Sequence, residues 1–215
     1  MRRLFLLPAL VMSFLAANAQ DTFHEQRATL FELLPVDSTN IVFLGNSLTN
    51  GCEWHELIGN PKVIGRGISG DTAPGVYARL DPIVKGHPEK IFLMIGVNDV
   101  SHALSADSIA TDIAKVLDKI TAETPSTKVY LQSCLPFNES CNRWQNLAGL
   151  HQVILDLNKN LERMAAERGI TWINLYPLFS DGEDNLRKEF TNDGLHLLGP
   201  AYMVWKEAVL PYVNE

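Results

Sequence analysis

A serine, an aspartate and a histidine stand in the order Ser47, Asp193, His196, with the last two three residues apart. Those residue types suit nucleophilic acyl transfer. A hydroxyl attacks, an imidazole takes its proton, and a carboxylate holds the imidazole in one tautomer. If the segment "FTNDGLHLLGP" coils into a turn, the Asp193 and His196 side chains share one side. Ser47 follows the apolar run of "IVFLGNSLTNG", which places its hydroxyl at the carboxyl end of a strand. Each residue alone has a plainer reading: Ser47 as a turn residue, Asp193 as a helix cap, His196 as a buried polar side chain.

An acyl-transfer site also needs donors for a developing oxyanion. Two further segments offer them. "GRGISGDT" is a glycine-rich loop whose N–H groups, including that of Gly70, can face an anion. "MIGVNDVS" ends an apolar run with Asn98, whose amide can donate into the same crevice. The first segment also contains G-x-G-x-x-G at Gly65, Gly67 and Gly70. The dinucleotide reading fails, because the acidic residue at the required distance is Glu89, which precedes a strand instead of ending one. The G-x-S-x-G elbow of the α/β-hydrolases is absent, since Thr49 replaces its last glycine. With no C-x-x-C, no H-E-x-x-H and six scattered histidines, the sequence offers no metal site.

These residues need a scaffold that gathers loop ends. Five strand-like runs are present: "NIVFL", "KVI", "KIFLMI", "KVYLQ" and "ITWINL". Helical periodicity lies around and between them, in Phe23 to Leu34, Asp107 to Ala122, Trp144 to Arg168 and Pro200 to Val209. Strands alternating with helices predict crossover connections and a parallel sheet covered on both faces. The expected fold is therefore α/β: a three-layer α/β/α sandwich with an open, about five-stranded parallel sheet. Ligands in such folds bind beyond the carboxyl ends of the strands, where Ser47 and Asn98 are expected.

The chain begins "MRRLFLLPALVMSFLAANAQ". Two arginines, an apolar run and Ala17-Asn18-Ala19 read as a secretory signal peptide over 1–19, with a single domain over 20–215. A membrane anchor is the alternative, but the apolar run is short for a span. A periplasmic or secreted protein is expected. The formal charge of −7 becomes more acidic once Arg2 and Arg3 are removed, which argues against a nucleic-acid partner. In an oxidising compartment Cys134 and Cys141 could close a small loop, Cys52 could pair with either, or all three could stay free.

Taken together, "GNSLT", "ISGDT", "GVND" and "DGLH" resemble the four blocks of the SGNH hydrolases, also called GDSL esterases and lipases. The resemblance runs from about Asn40 to Val213. It implies a flavodoxin-like fold, a triad of Ser47, Asp193 and His196, and an oxyanion hole from Ser47 N–H, Gly70 N–H and the Asn98 amide. It implies no cofactor and no metal. The implied activity is a serine esterase acting on a small-molecule or glycan ester, with O-acetyl groups on carbohydrate favoured by secretion and short loops. A lipid, short-chain acyl or thioester hydrolase is the alternative, and a silent binding protein a third. No substrate-binding residue is assigned, although Trp54 or Trp144 could stack on a sugar or serve as packing. The chain departs from the family at Asn46, where Gly-Asp-Ser is usual, and at Gly65, where asparagine is common.

Overall fold

The structure, a computed structural model, describes residues 22–215. The signal-peptide reading therefore lies outside the described residues. Helix α1 spans 22–33. There follow β1 (Ile41–Gly45), α2 (Ser47–Asn50), α3 (Trp54–Ile58), β2 (Val63–Gly67), α4 (Ala73–Ala78) and α5 (Asp81–Val84). Next come β3 (Lys90–Met94), α6 (Val97–Ser101), α7 (Ala106–Glu123) and β4 (Lys128–Gln132). The chain ends with α8 (His151–Arg168), β5 (Thr171–Ile173), α9 (Tyr176–Phe179) and α10 (Gly199–Asn214).

All strand pairs are parallel, in the order β2-β1-β3-β4-β5. The chain moves outward in opposite directions from β1 and β3, so the crevice beyond their carboxyl ends is the topological switch point. The two-residue strand period then sorts the side chains. Val42, Leu44, Ile91 and Leu93 face α4, α7 and α8, burying residues such as Ile113, Leu117 and Leu157. Ile41, Phe43, Phe92 and Tyr130 face α3 and α10, burying Trp54 and Trp205. Phe43, Phe92 and Tyr130 lie in one row of the register. Their rings stack at centroid separations of 4.7 and 4.5 Å, and Trp54 caps the row 3.9 Å from Phe43. Trp54 is thus core packing.

Three expectations are corrected. The second strand extends past "KVI" to Gly67, so Gly65 and Gly67 are strand residues instead of loop residues. A Cβ at Gly67 would lie 2.3 Å from Asn50 N, so glycine is there to let α2 approach the sheet. The helix read from Trp144 begins at His151; Gly149, with φ +75°, breaks it and leaves residues 133–150 as a long connection. Finally, the last helix, expected over Pro200 to Val209, runs on as α10 to Asn214 and continues through Pro211, although proline removes an N–H. Val213 is buried, and the Lys90 ammonium donates to the carbonyls of Tyr212, Val213 and Glu215. A cation at a helix carboxyl end also suits the helix dipole. Cys52, Cys134 and Cys141 are all free thiols.

Candidate active site

Strand β1 ends at Gly45, where glycine is required because a Cβ would meet Met94 O at 2.3 Å. Asn46 then caps α2 by accepting the Leu48 N–H at 3.0 Å. Ser47 is therefore the first helical residue, at the carboxyl edge of the sheet. Its Oγ lies 3.0 Å from His196 Nε2. His196 Nδ1 is 2.7 Å from Asp193 Oδ2. The other carboxylate oxygen accepts the N–H groups of Leu195 and His196 at 2.9 and 2.8 Å. Burial raises the Asp193 pKa, but the His196 ring and these backbone donors outweigh it and hold the carboxyl down at about 2. An ionised Asp193 accepts a hydrogen bond from Nδ1–H, so Nε2 is left as an acceptor for the Ser47 hydroxyl.

Gly70 sits in a turn closed by Asp71 N–H to Ile68 O at 3.2 Å. Its φ of +82° is the conformation that the third residue of such a turn takes with glycine. Asn98 donates one amide hydrogen to Asp71 O at 2.8 Å, which fixes the side chain and leaves its second hydrogen unused. The turn is braced from behind. Asp71 pairs with Arg79 at 2.7 Å, and Arg79 also donates to Gly45 O at 3.0 Å, tying the ends of β1 and β2 together.

Ser47, Gly70, Asn98 and His196 line one cavity of about 310 Å³. The residues proposed from sequence thus converge on one space. Seven wall residues had no role in the sequence reading: Phe23 from α1, Ser69 beside Gly70, Ser101 ending α6 and His102 after it, Asn146 and Leu147 from the long connection, and Leu195 beside His196. The same connection supplies Trp144, whose ring stands edge-on to His196 at 5.2 Å. The hydrophobic period of α1 signals a helix; nothing local signals that its first turn reaches the serine.

Residues 43–202 match the GDSL-like Lipase/Acylhydrolase family. The chain belongs to that family. It is 27% identical over 173 residues to the platelet-activating factor acetylhydrolase IB subunit alpha2 of Homo sapiens, covering 76% of this chain and 71% of that one. A GDSL-like lipase from Bacteroides thetaiotaomicron superposes with a TM-score of 0.78 at 26% identity, over 89% of this chain and 97% of that one. A protein from Streptococcus pneumonia assigned as a platelet activating factor gives 0.86 at 25% identity, over 95% and 99%. Asparagine in place of the aspartate of Gly-Asp-Ser is now accounted for in this GDSL hydrolase. The position caps α2, a task that needs an acceptor oxygen and no charge.

The aspartate beside Asn98 makes the fold's stability depend on pH. Asp99 is fully buried and accepts the Ala73 N–H on both oxygens, at 3.1 and 3.2 Å. Burial is the larger influence and raises its pKa to about 6. Its folded-state pKa is above the unfolded value, so the native state binds the extra proton between about pH 4 and 6. Stability contributed by that proton is lost as pH rises through this window. The thermal midpoint of the wild type is expected to fall between about pH 4 and 6, and Asp99→Asn to flatten that fall. A calorimetric midpoint that drops equally in both proteins would remove Asp99 as the cause.

Proposed function

We propose that this GDSL hydrolase is a secreted serine esterase that removes O-acetyl groups, with carbohydrate as the alcohol. The observation that supports it is the run of short contacts from Asp193 through His196 to Ser47, opening on a cavity that Gly70 and Asn98 share. Ser47 Oγ attacks the ester carbonyl as His196 Nε2 takes its proton. The N–H groups of Ser47 and Gly70 and the Asn98 amide receive the oxyanion. His196 then returns the proton to the leaving alcohol, and water releases the acid by the reverse sequence of transfers. None of these steps needs a metal or a cofactor.

Acetyl specificity draws support from the name of the human relative, an acetylhydrolase. A carbohydrate alcohol fits the lining of the Ser47 cavity, which includes the hydroxyls of Ser69 and Ser101, the amide of Asn146 and the Trp144 ring. Hydroxyl and amide groups bind sugar hydroxyls, and aromatic faces stack on sugar rings. A series of p-nitrophenyl esters from acetate to decanoate tests the reading. The highest kcat/KM is expected for acetate, with a decline of about tenfold or more by eight carbons. A preference for eight carbons or longer would overturn the acetylesterase reading in favour of the lipid one.

A further inference from the structure

We propose that the cleft between α1 and the turn after α2 is an anion subsite, in which Arg27 binds an acidic group carried on the alcohol part of the ester. The proposal rests on the esterase reading of the neighbouring cavity. An acetyl group is too small to leave the Ser47 cavity, so a charge that reaches this cleft belongs to the alcohol.

Phe23, Arg27 and Phe31 recur at intervals of four along one side of α1, which runs from exposed Phe23 through half-buried Arg27 to buried Phe31. Phe31 is 5% exposed. The middle position of such a face is normally apolar, yet here it is arginine. The Arg27 guanidinium lies 4.7 Å from the Phe31 ring centroid, and that of Arg66 lies 4.9 Å from the same ring. Arg66 is itself 5% exposed. Its terminal nitrogens donate to Gly65 O and Leu34 O, but its Nε and the Nε of Arg27 are buried without partners. Neither arginine forms an ion pair among the described residues; the nearby Arg79 takes Asp71. Burial, with repulsion from Arg27 and Arg79, lowers the Arg66 pKa to about 10.

Docking of α1 explains Arg66, which holds the Leu34 carbonyl just past the end of the helix. It does not explain Arg27, because leucine or methionine would cover Phe31 without adding a like charge beside Arg66. An anion seated on Arg27 would relieve that repulsion and complete its donor set. The space for it is present. Arg27 lines a cleft of about 340 Å³ with Phe23, Asn50 and His55. Glu53 also lines this cleft, but it is exposed and forms no ion pair with Arg27. Phe23 is shared with the Ser47 cavity. Asn50 of the cleft accepts a hydrogen bond from Ser69 of that cavity at 3.1 Å. The two spaces thus meet along Phe23 and the Ser69–Asn50 contact.

The test compares substrates that differ only in charge: an O-acetylated hexuronic acid with its methylamide, and acetylglycerol phosphate with acetylglycerol. The acid of at least one pair is expected to have kcat/KM about tenfold above its neutral partner. The ratio is expected to approach one in about 0.5 M salt and in Arg27→Gln, and to be partly kept in Arg27→Lys. The pair that responds identifies carboxylate or phosphate as the ligand. Equal rates within both pairs for the wild type, or an acid preference that survives Arg27→Gln, would overturn the subsite. If the wild type turns over no ester at all, the esterase reading fails instead. The subsite is then decided by calorimetric titration with the hexuronate and with glycerol phosphate. Binding of either that disappears in Arg27→Gln supports it, and no binding of either to the wild type, or binding indifferent to the substitution, overturns it.

Discussion

Ser47→Ala is expected to lower kcat on p-nitrophenyl acetate by about 10⁴-fold or more, with little change in thermal midpoint. The substitution removes one oxygen, whose side-chain hydrogen bond is to His196. Loss of one part-exposed hydrogen bond costs about 1 kcal/mol, a small share of a domain's stability. No neighbour can take over the attack. Ser69 Oγ is committed to Asn50 and Ser101 Oγ to the Asn98 carbonyl, and neither touches His196. The thiols are no better placed, because burial pushes both Cys52 and Cys134 up to about 12 and keeps them protonated. Turnover is measured beside circular dichroism of both proteins. Equal activity in the variant would remove Ser47 from the chemistry.

Much of this site was legible because its parts are local. The apolar runs ending at Gly45 and Met94 announce strands, and their carboxyl ends are where Ser47 and Asn98 stand. Asp193 and His196 are close in sequence, so their contact needs only a turn. What sequence could not supply is tertiary. Trp54 reads equally well as a sugar platform or as core, and only the row of Phe43, Phe92 and Tyr130 beneath it decides for core. Trp144 looked helical because the pattern of α8 was extended backwards through it. Gly149 was the signal against that reading, and it places Trp144 and Asn146 at the cavity. Phe23 is a surface-like residue near the start of an amphipathic helix. Its role depends on how Phe31 and Arg66 seat that helix, which no periodicity records.

Asp193→Asn is expected to lower kcat by about 10⁴-fold while leaving the backbone turn intact. The asparagine has one oxygen where the aspartate has two. The Leu195 and His196 N–H groups both require an acceptor at Oδ1, so the amide oxygen goes there. The NH₂ group then faces His196 Nδ1, which sits 2.7 Å away in the wild type. A donor at that position forces Nδ1 to accept, so the ring proton moves to Nε2. Nε2 then presents a hydrogen to Ser47 Oγ and has no lone pair to take its proton. The variant also loses the negative charge that favours the imidazolium formed during attack. The pH profile separates these effects from simple unfolding. Asp193 is ionised down to about pH 2 in the wild type, so its own titration cannot produce an acid limb near neutrality. The base needs a free lone pair on His196 Nε2 to take the Ser47 proton, so activity is expected to fall on acidification. Stopped-flow kcat measured from pH 4 to 9 checks both points. A variant within tenfold of the wild type at neutral pH would show that the carboxylate does not set the tautomer. A wild-type rate that stays flat down to pH 4 would show that His196 is not the base.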